Sequence, residues 1–169
     1  MEQRAYSMTH IGLLSDTHGY LDKRIFKYFE KCNEIWHAGD IGSVDLLDEL
    51  ANFKMTRAVY GNIDDQKIRK ITKKDTVFMC EQLKVFMTHI GGYPGKYNFQ
   101  VYQKIKYQKP DLFICGHSHI LKIMRDKTHN LLHINPGACG NYGFHKVKTL
   151  VRFSVDKKQI HDLEVIELG

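Results

Sequence analysis

Short apolar runs alternate with longer amphipathic stretches along the first 62 residues. The runs at 11–16, 34–40 and 57–62 have the length of buried strands. Between these runs, apolar residues recur at near-helical spacing, as Ile25, Phe26, Phe29 and Cys32 in one stretch and Val44, Leu46, Leu47, Leu50 and Phe53 in the next. Ser43 stands where it can cap the second helix. The order strand, helix, strand, helix, strand is typical of parallel crossover units.

The pattern changes after residue 75. Apolar runs at 76–80 and 84–89 flank a short turn and predict an antiparallel hairpin, and a helix is expected from about 98 to 108. The later elements, all expected to be strands, lie at 112–119, 121–126, 130–137, 149–155 and 161–168. Strands outnumber helices here, which favours a mixed two-sheet α/β domain. With no linker or repeat in the sequence, residues 1–169 are expected to form a single domain.

Length and composition fit one globular unit. The chain has 169 residues, 43% of them hydrophobic, and a chain of this size buries roughly 70% of its unfolded surface. The four cysteines form no C-x-x-C pair, so we expect reduced thiols that pack as small hydrophobic groups. Residues 1–10 lack the apolar segment of a signal peptide, and no apolar run approaches the ~20 residues that span a bilayer. We therefore expect a cytoplasmic protein without a membrane anchor.

The net charge of +6 favours an anionic partner such as a phosphate-bearing ligand or a nucleotide. The densest basic stretch, at 67–74, contains no aromatic residue on which a base could stack. That stretch is therefore expected to be a solvated helix or loop, and the charge adds only mild support for nucleic-acid binding.

Candidate chemistry stands at the ends of five apolar runs. Each run ends in side chains that can bind a metal ion, namely Asp16 and His18, Asp40, Asn62, His89, and His117 and His119. Open α/β sheets place their ligand crevices at the carboxyl ends of strands. A mixed nitrogen and oxygen donor set without thiolate suits Mn²⁺, Fe²⁺, Zn²⁺ or Co²⁺ better than Ca²⁺. This set is large enough to hold two divalent ions if one carboxylate bridges them.

The order of these motifs resembles that of the calcineurin-like metallophosphoesterases. The motifs are Asp16-Thr17-His18, Gly39-Asp40, Gly61-Asn62, His89 and Gly116-His117-Ser118-His119. The short chain and the "INPGA" at 134–138 are similar to the small bacterial and archaeal YfcE-like phosphodiesterase branch. The resemblance implies a four-layer α/β/β/α sandwich of two mixed sheets flanked by helices, with a dinuclear metal site at one edge.

The resemblance also implies a role for each motif residue. It places Asp16, His18 and His119 on the first ion, and Asn62, His89 and His117 on the second, with Asp40 bridging. Among these, Asp40, Asn62 and His89 are the expected catalytic residues. Two ions about 3.5 to 4 Å apart convert a shared water into a hydroxide nucleophile for phosphodiester hydrolysis. Manganese is the expected metal, with nickel, zinc, iron and cobalt as alternatives.

The sequence departs from the family pattern at one position. Many larger members carry a histidine directly after the motif asparagine, where this chain has Ile63. An aliphatic side chain gives no acid assistance, which is typically worth about 10² to 10⁴-fold. We therefore expect slow turnover and a preference for diesters with good leaving groups. For the neighbouring Asp64, an orienting role behind the ligands and a plain surface position both stay open.

Several residues outside the motifs are weaker candidates. The loop at 91–98 follows His89 directly, so Tyr93, Lys96 and Tyr97 are candidates to line the substrate mouth with Asn62. His37 is expected to pack in or against a sheet. The remaining histidines are expected at ordinary surface or sheet positions, and these are His10, His129, His133, His145 and His161.

Three functional classes follow from these patterns. The first is a metal-dependent phosphodiesterase, favoured because no motif ligand is replaced by an inert side chain. The second is a non-catalytic interaction scaffold, because the retromer subunit of the same fold has that role. The third is a nuclease or cyclic-nucleotide hydrolase, favoured by the positive charge. Members of the resembling branch are often dimers or larger, so a homo-oligomer is compatible with the sequence.

Overall fold

The computed structural model describes residues 8–169, so the expectation that no signal peptide begins the chain concerns residues largely outside this range. The strands of the described range are β1 Thr9–Leu14, β2 Glu34–His37, β3 Met55–Ala58, β4 Asp75–Cys80, β5 Leu83–Thr88, β6 Leu112–Ile114, β7 Lys122–Asp126, β8 Leu131–Asn135, β9 Thr149–Asp156 and β10 Gln159–Glu167. The helices are α1 Arg24–Tyr28, α2 Val44–Phe53, α3 Gln66–Ile71 and α4 Phe99–Gln108.

The strands form two five-stranded mixed sheets. The first has the order β10-β9-β1-β2-β3, in which β1, β2 and β3 are parallel. The second has the order β4-β5-β6-β8-β7, in which β5, β6 and β8 are parallel. Hairpins supply the antiparallel edges of both sheets. The predicted two-sheet α/β architecture is confirmed.

Three apolar layers hold the sandwich together. Between the sheets lies a core to which both contribute, including Leu13 and Trp36 from the first sheet and Met87 and Ile114 from the second. A second apolar layer joins α1 and α2 to the outer face of the first sheet. A third joins α4 to the outer face of the second sheet. Alternation along each strand therefore sends successive side chains into different layers.

Helix α1 is shorter than the apolar spacing predicts. Phe29 and Cys32 lie beyond its end at Tyr28, although both are buried in the helix-side core as expected. The chain leaves the helix because the Asn33 N–H pairs with the His10 carbonyl at 2.7 Å, which leads directly into β2. The Phe29 ring covers β1 at Gly12, where an added Cβ would lie 2.6 Å from it.

Several predicted strand runs extend beyond the observed strands; β6, for example, covers Leu112–Ile114 instead of 112–119, so His117 and His119 lie in the loop after it. Strand β3 covers Met55–Ala58 instead of 57–62, so the residues from Val59 onwards already belong to the loop that carries Asn62. The basic stretch at 67–74 is partly helical, because the Asp65 carboxylate caps α3 by accepting from two backbone N–H groups.

All four cysteines are buried free thiols, as expected. Burial raises the pKa of Cys32 to about 11 and that of Cys115 to about 12, which keeps both thiols protonated. Within residues 8–169, no helix combines the length and apolar character needed to cross a bilayer.

Candidate metal centre

The predicted site residues converge at one edge of the sandwich. The loops after β1, β2 and β3 bring Asp16, His18, Asp40 and Asn62 from the first sheet. The loops after β5 and β6 bring His89, His117 and His119 from the second. Because all five strands end at the same edge, residues separated by up to 103 positions meet in one place.

The side chains form two compact groups. Ligand atoms of Asp16, His18 and His119 lie within 4.8 Å of one another, and so do those of Asp40, His89 and His117. These are the two groupings expected from the sequence, apart from Asn62. That side chain lies beside the second group, where its Oδ1 accepts a hydrogen bond from His117 Nδ1 at 3.0 Å. For the Asn62 oxygen to bind an ion, its hydrogen bond with His117 would have to break.

The Asp16 carboxylate is satisfied on one oxygen only. Its Oδ2 accepts from the Ser15 hydroxyl at 2.6 Å and from the His117 backbone N–H at 3.2 Å. Its Oδ1 is buried and, in the part of the chain that the structure describes, accepts no hydrogen bond. This oxygen lies 3.1 Å from His119 Nε2 and 3.8 Å from His18 Nε2. One free carboxylate oxygen therefore points into the first group.

The two oxygens of Asp40 likewise have different partners, and the side chain faces both groups. Its Oδ1 accepts from the Ile63 backbone N–H at 3.0 Å. Its Oδ2 lies 3.2 Å from His89 Nε2, in the second group, and 3.5 Å from His18 Nε2, in the first. Asp40 therefore stands between the groups, as a bridging carboxylate must.

The His89 and His18 imidazoles place their Nε2 atoms near these oxygens. The His89 Nδ1–H donates to the Ala38 carbonyl at 2.7 Å, which leaves Nε2 as the atom with a free lone pair. Within residues 8–169, His89 Nε2 and His18 Nε2 are both buried without a hydrogen-bond partner. A divalent cation can bind carboxylate oxygens and imidazole nitrogens that lack hydrogen-bond partners. Because several such atoms lie together in one buried place, the residues fit a metal site.

The charges are coupled across the site. Burial opposes ionisation of Asp16, but the neighbouring His119 and His18 outweigh it and hold the pKa of this carboxyl well below its usual range. Burial likewise opposes protonation of His89, yet the adjacent Asp40 carboxylate raises the pKa of the imidazole. The two carboxylates thus remain charged and draw positive charge toward themselves.

Five of the site residues have left-handed backbone conformations. The φ angles are 56° at Asp16, 47° at His18, 55° at Asp40, 68° at His117 and 60° at His119. Such conformations cost about 1–3 kcal/mol each in non-glycine residues and persist only where the surroundings impose them. They turn each side chain away from the direction that a continuing strand would give it.

Two motif glycines leave space for the site side chains. A Cβ added to Gly39, which has a φ of +99°, would lie 2.6 Å from the His89 ring. A Cβ added to Gly61 would lie 2.0 Å from Asp40 Oδ1. Any larger residue at these positions would displace a candidate ligand.

Comparison with known proteins identifies the family. Residues 9–158 match the model of the calcineurin-like phosphoesterase superfamily domain. The chain belongs to this superfamily. A probable metallophosphoesterase of Methanocaldococcus jannaschii is 29% identical over 159 residues, which cover 88% of this chain and 77% of that protein.

Solved structures share the fold at low sequence identity. YfcE, a phosphoesterase from E. coli, superposes with a TM-score of 0.63 at 17% identity, covering 92% of this chain and 98% of that chain. Vps29 from Entamoeba histolytica in complex with zinc superposes with a TM-score of 0.69 at 13% identity, covering 95% and 100%. The calcineurin-like sandwich expected from the sequence is thereby confirmed.

In this phosphoesterase domain, Asp64 ties the two ligand loops together. The side chain is buried, which rules out the plain surface position left open by the sequence. Its carboxylate accepts from the backbone N–H groups of Ile41 at 3.1 Å, Gly42 at 2.8 Å and Gly61 at 2.8 Å. These groups flank Asp40 and Asn62, so one buried anion fixes the spacing between the loops that carry them.

Three further side chains hold the loops. Arg69 donates to the carbonyls of Asp64 at 2.7 Å and Asn62 at 3.3 Å. Asn135, in the "INPGA" segment, donates to the Gly116 carbonyl at 2.9 Å and thereby supports the loop of His117. His37 is fully buried, where desolvation lowers its pKa to about 4, and its ring contacts the Thr17 hydroxyl at 2.9 Å. The expected packing of His37 against the sheet is confirmed.

The structure also brings residues to the site that sequence motifs do not indicate. The Tyr142 ring stands 5.2 Å from the His18 ring, and the His145 ring stands 5.2 Å from that of His119. Both belong to a loop that follows the last motif and has no recognisable pattern of its own. His145 was expected at an ordinary position, and its place beside a candidate ligand follows only from the folded chain.

The candidate substrate residues divide between two neighbouring cavities. Asn62 lines one of about 260 Å³, together with His89 and Arg69. Tyr93 and Lys96 line another of about 500 Å³, whose wall includes His117. The Tyr97 hydroxyl instead donates to the Asp126 carboxylate at 2.9 Å, so this open candidate has a structural contact.

The Asp40→Asn variant tests the bridging position. We expect wild-type protein to bind two Mn²⁺ ions by calorimetry, and the variant to lose the two-ion stoichiometry with at least a tenfold loss of affinity. The metal-free variant should still fold, as circular dichroism would show, because an amide oxygen can accept from the Ile63 N–H as the carboxylate does. Asp48→Asn, an exposed change on α2, is the matched control. Two ions bound by Asp40→Asn with unchanged affinity would contradict the bridge.

The Asp64→Asn variant tests the tie between loops. An amide nitrogen then faces backbone N–H donors, so we expect Mn²⁺ affinity to fall about 10–100-fold and the melting temperature to decrease. Asp65→Asn is the control, since asparagine caps a helix as well as aspartate does. Equal metal affinity in both variants would show that Asp64 does not position the ligands.

Proposed function

We propose that this chain hydrolyses phosphodiesters with the help of two divalent metal ions. The observation that carries the proposal is that the two oxygens of each buried carboxylate, Asp16 and Asp40, have different partners. Each has one oxygen held by protein hydrogen bonds and the other turned toward imidazole nitrogens. The second Asp16 oxygen is buried and accepts no hydrogen bond from the described residues, whereas a purely structural buried carboxylate would normally have a donor there.

The proposed ligand sets follow the two observed groups. Asp16, His18 and His119 would hold the first ion, and His89, His117 and Asn62 the second, with Asp40 shared. When bound, two such ions lower the pKa of water and neutralise negative charge on a phosphoryl group. Manganese is the proposed metal. A cytoplasmic location is part of the proposal, since buried free thiols suit a reducing compartment.

The chain's own residues would orient the substrate. The 260 Å³ cavity beside the centre joins the Asn62 amide and His89 to two cations, Arg69 and Lys74. This mixture suits a phosphoryl group, because the cations balance its charge and the amide fixes its orientation. On this basis Asp40, Asn62 and His89 are the proposed catalytic residues, and Tyr93 and Lys96 would contact the rest of the substrate.

The expected preference for diesters with good leaving groups over alkyl monoesters rests on Ile63. Its backbone N–H holds Asp40, while its side chain is 45% exposed and offers no proton. Leaving groups that depart without protonation are therefore favoured.

The second candidate function is an interaction scaffold. It is favoured by the likeness to Vps29, and since one Vps29 structure contains zinc, metal binding alone does not separate the candidates. Hydrolysis does separate them. The third, a nuclease or cyclic-nucleotide hydrolase, would show preferential cleavage of nucleotides that weakens steeply with added salt.

The deciding experiment is hydrolysis of bis(p-nitrophenyl) phosphate by chelator-treated protein with Mn²⁺, Ni²⁺, Zn²⁺ or Mg²⁺ added back. We expect activity to return with a transition metal, and to exceed that on p-nitrophenyl phosphate measured in parallel. Inactivity with every metal, in protein shown by circular dichroism to be folded, would favour the scaffold.

The Ile63→His variant tests the missing acid. Phenyl phosphate has a poorer leaving group than p-nitrophenyl phosphate, so protonation matters more for it. We expect the variant to raise phenyl phosphate hydrolysis about tenfold and to change p-nitrophenyl phosphate hydrolysis much less. Ile63→Leu is the control. An equal response of the two substrates would refute the explanation.

A further inference from the structure

A second cavity borders the metal centre beside His117. Its volume is about 500 Å³, within the range of small-molecule sites. The loop after His89 forms one side of it, with Tyr93 and Lys96, and β7 and β8 supply Lys122 and His133. Through His117 the cavity shares a wall with the second group of candidate ligands.

The cavity is cationic. Lys96 and Lys122 line it, and no aspartate or glutamate does. The Lys122 ammonium stands 4.5 Å from the centre of the Tyr93 ring, which fixes it over an aromatic face at the cavity wall. Within residues 8–169 neither lysine has a carboxylate partner. An anion in this space could therefore pair with two ammonium groups that form no ion pair with the residues described by the structure.

A buried polar group at the cavity wall also lacks a partner. His133 on β8 is fully buried, and within the described part of the chain neither ring nitrogen makes a hydrogen bond. Its ring packs near Phe113 and Tyr97, at 5.6 Å and 6.2 Å between centroids. Desolvation lowers its pKa to about 4, so the ring is neutral and keeps one donor and one acceptor. Leaving such a group unpaired costs about 1–3 kcal/mol.

The unpaired ring nitrogens of His133 contrast with the hydrogen-bonded side chain of the neighbouring Asn135. Asn135, two residues along the same strand face, uses its amide group on Gly116 and Ser118 and its oxygen on the Gly137 N–H. The Asn135 side chain is thus satisfied within the protein, whereas both ring nitrogens of the buried His133 are not. This contrast indicates a place for an external polar ligand.

We propose that this cavity binds a second phosphoryl group of the substrate, carried by the part of the molecule beyond the scissile diester. Lys96 and Lys122 bind its oxygens, and His133 gains a partner at the wall. The inference rests on the proposed phosphodiesterase function and narrows it to substrates that bear an additional phosphate, such as a nucleotide with a second phosphorylated position.

Two synthetic diesters that differ by one phosphate test the proposal. They are the p-nitrophenyl ester of thymidine 5′-phosphate and the same compound with a 3′-phosphate. We expect the 3′-phosphate to raise kcat/KM about tenfold or more in wild-type protein with Mn²⁺. Lys96→Ala and Lys122→Ala should each remove most of this advantage, and in Lys122→Ala hydrolysis of bis(p-nitrophenyl) phosphate should stay within about twofold.

Lys127→Ala is the matched control, because Lys127 is exposed at the far end of β7 and outside the cavity. It removes the same charge and should keep the full advantage of the 3′-phosphate. His133→Phe preserves an aromatic ring without nitrogens and should lower the advantage about threefold. An unchanged advantage in His133→Phe would exclude His133 from the site. Loss of the advantage in Lys127→Ala as well would show a general charge effect and overturn the proposal.

A binding measurement without catalysis separates this proposal from the proposed function. In chelator-treated protein, thymidine 3′,5′-bisphosphate should bind about tenfold more tightly than thymidine 5′-phosphate by calorimetry, and Lys122→Ala should lose this preference. If the preference is present but no diester is cleaved with any metal, the cavity assignment stands and the phosphodiesterase fails. If diesters are cleaved but the additional phosphate changes neither kcat/KM nor binding, the cavity assignment is wrong.

Discussion

Burial of two carboxylates in one place is the constraint on which this molecule depends. Asp16 and Asp40 come from adjacent strands and meet at the sheet edge almost without exposure to water. Burying like charges together is unfavourable unless positive charge balances them. In the metal-free chain the nearby imidazoles give partial compensation, which is why the pKa of His89 rises. Bound cations would balance the charge of both carboxylates. They would also give a partner to the Asp16 oxygen that accepts no hydrogen bond from the described residues.

The rest of the site holds the two carboxylates and the other candidate ligands in place. Left-handed backbone at five candidate ligands stores strain, and rigid surroundings are needed to hold it. The two sheets give the rigidity, because their shared core fixes the strand ends from which the loops leave. Asp64 gives the local precision, since its carboxylate binds backbone N–H groups on both sides of the gap between two loops. Asp64, which is not one of the candidate metal ligands, thus helps to hold those ligands in place.

The sequence predicts well which residues follow the buried strands, and it predicts poorly which distant residues support them. The motif residues are recognisable because a buried run followed by a ligand-type side chain is a local pattern, and strand polarity then brings these ends together. Helix α1 is mispredicted at its end because apolar spacing reports burial, and Phe29 is buried from a turn as well as it would be from a helix. Asp64 was ambiguous because its burial depends on loops that lie more than 20 residues away. No local pattern marks Tyr142, whose contact with His18 depends on the path of a loop.

The two flanks of the centre differ in chemistry, and this difference bears on selectivity. Beside the first group, the Tyr142 ring stands against His18 and remains largely exposed. Beside the second group lies the cationic cavity next to His117. A phosphodiester has two substituents on its phosphorus, and a site with one aromatic and one cationic flank does not treat them as equivalent. The motif residues lie between the two flanks and do not by themselves distinguish the two substituents. If the chain hydrolyses phosphodiesters as proposed, selectivity among them would therefore come from residues outside the motifs.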